Sequence, residues 1–329
     1  MIYAPVAVWT LNRYEHLRCC IDSLKKNKYA IDTEVYISLD FPPSEGYQEG
    51  YDKVRAYLHQ NISGFKKIII FEQKKNLGSI GNFMFILNKV YEVHDRIILI
   101  EDDNEVSPYF LEYMNYLLSK YEKDKNVFAI NGYSYPIEWL NDGKDLVKIN
   151  NMFSAWGSAL WRSKYDELLN AINLKNIDNT MHSFKKVYGV FKNNPACFSN
   201  LICSYLGGKG IMCDDYGNFL PVDATIVFYI IVYRKSVIMP KVSQVVNHGL
   251  DGSGVHCSKE EKYENEDITS AWNKTMRINM EGDLYVQKIN HRKLTRIVPS
   301  SFRDVCSNWL QYLLYRCHLK KRTRNEGKS

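Results

Sequence analysis

The stretch Arg96-Ile97-Ile98-Leu99-Ile100-Glu101-Asp102-Asp103-Asn104-Glu105-Val106-Ser107-Pro108-Tyr109-Phe110 decides how this chain is read. Ile97 to Ile100 are continuous and apolar, as expected of a central parallel strand buried on both faces. The run ends in three successive carboxylates, Glu101, Asp102 and Asp103. Ser107 as N-cap and Pro108 at the first helical position predict a helix directly afterwards. The acids therefore fall at the carboxyl end of a strand, the edge of an open α/β sheet where ligands bind. Adjacent carboxylates are hard oxygen ligands suited to Mg²⁺ or Mn²⁺ carrying a diphosphate. A solvated acidic loop beside a helix N-terminus is the plainer reading, but such a loop rarely follows so apolar a strand without a ligand to justify it.

Working outward, apolar runs at Ala4 to Thr10, Glu34 to Leu39, Lys67 to Phe71 and Val127 to Asn131 read as further strands. Between them lie amphipathic helices. Tyr14 to Lys26 puts Leu17, Cys20, Ile21 and Leu24 on one face, Gly50 to His59 does the same with Val54, Tyr57 and Leu58, and Ser79 to Tyr91 with Phe83, Ile86, Leu87 and Val90. Strand and helix alternating through short connections is the pattern of βαβ units and a mostly parallel sheet. From about residue 132 the alternation weakens into aromatic-rich sequence expected to be irregular, with a strand at Ser236 to Met239 and a glycine-rich loop from Asn247 to His256.

The chain has 329 residues, enough for one large α/β core with an appendage. Apolar residues make up 45% and charged ones 24%, which excludes long disorder, and no apolar run approaches the length of about 20 residues that a membrane span requires. Met1 runs straight into a strand-like segment, leaving no room for a signal peptide, so the expected location is cytoplasmic. Eight cysteines without CxxC pairs or zinc-finger spacing read as reduced thiols. The net charge of +6 is uneven: residues 292–329 carry +8 and the rest −2. Nucleic-acid binding, which needs basic side chains interleaved with aromatics over a folded face, is not expected.

Several polar residues should gather with the acids if the strands are parallel. Thr10 ends the first strand, Asn12 and Arg13 follow it, and Asp40 follows the second. A carboxylate can accept from a base or ribose and an arginine can meet phosphate, which together describe a nucleotide site; turn chemistry and surface charge are the alternative for each alone. Asn76 and Gly78 add a turn and a helix N-terminus aimed the same way.

These residues resemble the inverting glycosyltransferases of the GT-A fold. Pro5 to Leu17 looks like the opening nucleotide-binding segment of bacterial family 2-like sugar transferases, and Ile98 to Phe110 is similar to their Asp-any-Asp region. The triplet also resembles that of the Golgi N-acetylglucosaminyltransferase that begins complex N-glycan branching. The likeness continues through Phe153 to Trp161 and Asn247 to Cys257. It implies a GT-A, Rossmann-like sheet flanked by helices. The nucleotide-sugar half would span 1–131, an acceptor and catalytic-base half with an irregular region and a glycine-rich lid 132–260, and a helical basic extension 261–329. It implies Asp103 as ligand of Mn²⁺ or Mg²⁺, and Glu101 and Asp102 as contacts to ribose and donor sugar. The base, in an Asp-Trp-like segment of relatives, corresponds to Asp223; the tryptophan is absent here, and Asp214 and Asp215 compete, although both also read as turn acids beside Gly217-Asn218. Trp156 and Gly157 would meet the donor sugar or the acceptor, or simply pack in the interior. His248 and His256 in the lid would contact nucleotide or metal.

The implied reaction is transfer of a sugar, with a UDP-sugar expected, to a hydroxyl of a glycan or lipid-linked glycan in lipopolysaccharide or capsule synthesis. A sugar nucleotidyltransferase would carry a glycine-rich basic loop after the first strand, and Thr10-Leu11-Asn12-Arg13-Tyr14 is not one. A catalytically silent glycan-binding protein would bind donor without turnover. In the tail, helical spacing puts Phe302, Val305, Cys306, Trp309, Leu313 and Cys317 on one face ahead of Lys320, Lys321, Arg322 and Arg324. That pattern fits a peripheral helix on an anionic inner membrane surface, and equally a helix packed back on the domain.

Overall fold

The computed structural model describes residues 3–207, 210–251, 276–297 and 301–322. Its first half follows the sequence pattern closely. Strands β1 (Val6–Thr10), β2 (Glu34–Leu39), β3 (Lys67–Glu72) and β4 (Arg96–Glu101) alternate with helices α1 (Tyr14–Lys25), α2 (Gln48–Leu58) and α3 (Gly78–Tyr91). β1 pairs in parallel with both β2 and β4, and β2 with β3. The register sets Val8 against Ile37 on one side and Ile100 on the other. The carboxyl ends of these strands, with Arg13, Asp40 and the acidic triplet just beyond them, consequently share one edge.

Period-2 alternation explains why both faces need covering. Val6, Val8, Ile98 and Ile100 point into one core with Leu17, Ile21 and Leu24 of α1. Ala7, Ile97 and Leu99 point into the other with Ile86, Leu87 and Val90 of α3. Truncating any of these buried leucines or isoleucines to alanine would cost about 2–5 kcal/mol.

Two expectations change beyond β4. No helix starts at Ser107. The chain first extends as β5 (Asn104–Val106), pairs antiparallel with β10 (Val245–Asn247), and turns through Ser107 to Tyr109 before α4 (Phe110–Lys120) begins. The Ser107 hydroxyl and N–H both donate to Gln244, so the serine ties the two strands together; its oxygen also accepts from the Tyr109 N–H at 3.3 Å, in the turn that precedes α4. The aromatic-rich stretch expected to be irregular is also largely regular. After the expected strand β6 (Val127–Asn131), it holds β7 (Leu146–Ile149), β8 (Ser158–Trp161), α5 (Arg162–Ala171), α6 (Leu174–Met181), α7 (Phe184–Asn193), α8 (Pro195–Gly207) and α9 (Asp223–Val232), and it ends in the expected strand β9 (Ser236–Pro240). α8 and α9 are hydrophobic nearly all round and buried, which hides the 3.6-residue period that would have announced them.

With β11 (Val286–Gln287), these strands join the first four in one nine-stranded sheet of order β11-β7-β9-β6-β8-β4-β1-β2-β3. β8 runs antiparallel between β4 and β6, while β6 and β9 are parallel. The result is a mostly parallel α/β sheet flanked by helices.

A helix at Phe302–Arg316 packs on α8 and α7 through Asn308, Trp309, Tyr312 and Tyr315. Trp309 stacks on Phe198, with ring centroids 4.6 Å apart, and meets Phe191 edge-on. The helix is thus docked, yet by a face offset from the anticipated stripe: Phe302, Leu310 and Leu313 are exposed. Among the described residues no helix is long and apolar enough to cross a membrane, and no disulfide forms.

Candidate active site

A cleft of 720 Å³ opens over the carboxyl ends of β1, β2 and β4. Of the residues singled out in the sequence, Thr10, Asn12, Arg13, Asp40, Asn76, Gly78, Glu101, Asp102, Asp103 and Trp156 line it together. The parallel register delivers all but Trp156, because each ends or follows a strand or opens the next helix; Trp156 instead leads into the antiparallel β8.

Arg13 organises the acids. Its guanidinium is ion-paired to Asp102 through Nη2 and to Asp103 Oδ2 through Nη1, the latter at 2.9 Å. Thr10 Oγ1 donates to the other Asp102 oxygen at 2.7 Å. Asn247 Nδ2 and Asn104 Nδ2 donate to Asp103 Oδ1 at 2.8 and 3.0 Å. Three carboxylates thus share one arginine. Burial, followed by the charges of Asp103, Asp223 and Asp102, raises Glu101 to about 8. Burial also raises Asp102, against the pull of Arg13. Such an excess of negative charge on hard oxygen donors is what a divalent cation relieves, so the donor set fits Mg²⁺ or Mn²⁺ at Asp103.

Asp40 and Asn76 are more occupied than their position suggests. Asp40 accepts from the N–H groups of Leu77 at 2.8 Å and Phe41 at 2.9 Å and from Asn76 Nδ2 at 3.2 Å, so it caps α3 from a distance. Burial raises its pKa, and the N–H groups of Leu77, Phe41 and Gly78 oppose that shift. Gly78 is at φ +71°, a left-handed conformation that favours glycine and lets α3 start beneath this cap.

Trp156 lies between this cleft and a second cavity of 330 Å³, and lines both. Gly157 after it sits at φ +59°, where a Cβ would strike Val245 Cγ2 at 2.5 Å, so the Trp-Gly pair is fixed by close packing of β10. Asp223, the first residue of α9, lines the second cavity, and its Oδ2 accepts from Ala155 N–H at 3.2 Å. The carboxylate opens onto the cavity, yet protein surrounds it closely enough to raise its pKa to about 6, against the backbone N–H groups of Ala155 and Asp223 itself. Its charge is felt at Glu101.

Other residues fall elsewhere. Asp214 accepts from the N–H groups of Tyr216 and Asn218 at 2.9 and 2.8 Å, the turn chemistry of its alternative reading, and neither Asp214 nor Asp215 lines either cavity. His248 does not line the cleft; its Nε2 meets Glu105 Oε2 at 3.0 Å. With Cys19 these two bring ligand atoms within 4.8 Å of one another, a thiol-containing set better suited to a softer cation than Mg²⁺. The loop expected as a lid begins as a 3₁₀ turn, Gly249–Asp251; His256 and Cys257 lie outside the described residues.

Trp9, Asn82 and Asn247 line the cleft without having been singled out as contacts. Asn82 had a legible signal: it is a polar residue on the buried face of α3, held by the carbonyls of Ser38 and Thr10. Asn247 had none, since its partner Asp103 is 144 positions away.

An open α/β sheet with a carboxylate-rich cleft at its strand ends is the architecture of a protein that binds its ligand at that edge. Residues 6–186 match the glycosyl transferase family 2 model, and the chain belongs to that family, with the GT-A fold. No curated protein sequence matches it. Among solved structures, it is similar to the mannosyltransferase PcManGT from Pyrobaculum calidifontis in complex with GDP-Man and Mn²⁺, at 18% identity over 51% of this chain and 46% of that one, TM-score 0.35. It is also similar to S. aureus TarS 1–349, at 12% identity over 52% of this chain and 49% of that one, TM-score 0.36. The chain spans about half the length of these structures.

Proposed function

We propose that the chain is a metal-dependent, inverting glycosyltransferase of hexosyl type that moves a sugar from a UDP-sugar to a hydroxyl of a glycan or lipid-linked glycan. The product in this reading is a bacterial surface polysaccharide such as lipopolysaccharide or capsule. One observation carries the proposal: two cavities adjoin at Trp156, the larger holding the Arg13-bridged acids and the smaller holding Asp223. A donor with its diphosphate in the first and an acceptor in the second would meet at Trp156.

Each residue then has a role. Arg13 and the α3 N-terminus receive phosphate, and Asp40 and Asn76 line the nucleoside end. Glu101 and Asp102 face ribose and sugar hydroxyls, and the aromatic face of Trp156 packs on the sugar's C–H face. Asp103 is the residue that would hold Mn²⁺ or Mg²⁺, which when bound neutralises the charge that builds on the departing diphosphate. Asp223 takes the proton of the acceptor hydroxyl as its oxygen bonds to the anomeric carbon, and the breaking C–O bond leaves its electron pair on the diphosphate. A pKa near 6 suits this: the group is ionised at neutral pH and basic enough to take a proton. The likeness of the acid triplet to the N-glycan branching enzyme belongs to the same reading.

Placement on the cytoplasmic face of the plasma membrane is supported by exposed Phe302, Leu310 and Leu313 close in sequence to Lys320, Lys321 and Arg322.

A screen of nucleotide-sugars for release of nucleoside diphosphate, with and without Mn²⁺, tests the proposal. Release that needs the cation and is lost in Asp103→Ala is expected. Absence of release from every donor would overturn it.

A further inference from the structure

The smaller cavity has a composition of its own. Its walls are Tyr133, Tyr135, Phe153, Trp156, Ile211 and Val227 among others, and among the described residues Asp223 is the one carboxylate in the lining, which holds no lysine, arginine or histidine. The aromatic side chains are fixed. Tyr133 packs edge-on against both Trp156 and Tyr135, with centroids 4.8 and 5.3 Å apart, and the Tyr135 hydroxyl donates to the Phe153 carbonyl at 2.6 Å. Rigid aromatic surface of this kind binds the C–H face of a sugar ring at little cost in side-chain entropy.

The polar side chains divide into committed and uncommitted. Asn194 is buried and already spends its amide on the Asn151 carbonyl and the Cys197 N–H. Asn200, six residues on and within α8, has a side-chain amide with no hydrogen-bond partner among the described residues, and it lines the cavity. A half-buried, unpaired amide offers both donors and acceptors to hydroxyl groups.

Charge argues in the same direction. A phosphate or carboxylate here would lose water, meet the Asp223 carboxylate and find no cation among the described residues of the lining. The cations gather elsewhere: Arg316, Lys320, Lys321 and Arg322 line a separate cavity of 340 Å³ with His182 and Tyr315. At 330 Å³ the cavity beside Asp223 is at the small end of ligand pockets, room for a terminal ring and not an extended chain.

We propose that this cavity takes the acceptor as an uncharged terminal sugar ring, packed on Tyr133, Tyr135 and Trp156 and oriented by Asn200, and that it rejects rings bearing phosphate or carboxylate. The inference rests on the transferase reading above and goes further by naming the acceptor class.

The test uses the full chain with a donor found in the nucleotide-sugar screen. Acceptor-stimulated release of nucleoside diphosphate is measured with methyl glycosides of glucose, galactose, mannose and N-acetylglucosamine, and with the corresponding methyl uronates and 6-phosphates. A neutral glycoside should give kcat/KM at least about tenfold above its charged twins. Asn200→Ala should raise the KM for that glycoside by about three- to tenfold, the worth of one hydrogen bond. Asn200→Lys should move the preference toward the charged twin. Charged twins used equally well, or donor turnover that no neutral glycoside stimulates, would overturn the inference while leaving the transferase reading standing. Absence of donor turnover under every condition overturns both.

Discussion

Asn247 donates its amide to Asp103 Oδ1 at 2.8 Å and accepts from the Gly249 N–H at 2.8 Å, so the residue expected to hold a cation is itself held by the end of β10, in the small two-stranded sheet. β5 and β10 pair so that Asn247 stands opposite Asn104. Support behind a ligand commonly sets affinity by fixing the ligand's orientation. Asn247→Ala should weaken Mn²⁺ binding by about tenfold and lower stability by about 2 kcal/mol, as a buried charge-assisted hydrogen bond is lost. Calorimetric titration with MnCl₂ and urea unfolding check the two halves separately. Wild-type affinity in a destabilised variant would remove Asn247 from the site. Gly249→Ala should do similar damage, because a Cβ there would collide with the Asp103 carboxylate.

Arg13 neutralises two buried carboxylates at once. Removing one partner of a buried ion pair costs more than the pair itself contributes, because the remaining charge stays desolvated. Arg13→Met should therefore lower stability by about 3 kcal/mol, toward the low end of such losses because the guanidinium is partly open to the cleft. A cation at Asp103 would relieve the same repulsion. Added Mn²⁺ should accordingly raise the melting temperature of Arg13→Met more than that of the wild type. An equal shift in both proteins would show that the cation binds away from the acids.

The raised pKa of Asp223 links turnover and stability in opposite directions. Its carboxylate must be ionised to accept a proton, so kcat/KM should fall as pH drops through about 6. For stability, burial raises the folded-state pKa from 3.8 to about 6, so the favourable contribution of the neutral acid is complete below 3.8 and is lost as pH rises through 6. Asp223→Asn should then abolish transfer and keep donor affinity. It should also melt above the wild type at pH 8 and alongside it at pH 3.5. A pH–rate profile and melting curves at the two pH values check both. Retained turnover in Asp223→Asn would pass the proton to another group.

What the sequence discloses follows from how local each determinant is. β1 to β4 are legible because β-branched runs and intervening amphipathic helices carry their own periodicity, and their shared edge follows from parallel pairing alone. The turn at Asp214 is legible for the same reason, since Asp214, Gly217 and Asn218 complete it within five residues. β5 and β10, at three residues each, are too short to show a period, and they exist only because they meet. Asp40 reads as a ligand acid, yet most of its hydrogen bonds go to a helix start 37 positions away. Of the stripe read along the last helix, Trp309 docks while Phe302 and Leu313 are exposed, and Tyr312 and Asn308, off that stripe, complete the docking face. Aromatic and amide side chains can pack on a partner surface that the one-dimensional pattern does not reveal.

That offset makes the last helix separable into two functions. Its inner face, with Trp309 against Phe191 and Phe198 and Tyr312 fully buried, should hold the fold: Trp309→Ala is expected to cost about 3 kcal/mol in urea unfolding. Its outer face presents Phe302, Leu310 and Leu313, with the Lys320–Arg322 cations following in sequence, and contributes little to the core. Replacing these three apolar residues by serine should leave the unfolding midpoint near that of the wild type and reduce cosedimentation with vesicles containing anionic phospholipid. Both faces would be needed for a transferase that works on an acceptor at the membrane surface, the inner one to keep the helix in place and the outer one to meet lipid. Vesicle binding unchanged by the triple substitution would end the peripheral-membrane proposal without touching the chemistry proposed at Asp103 and Asp223.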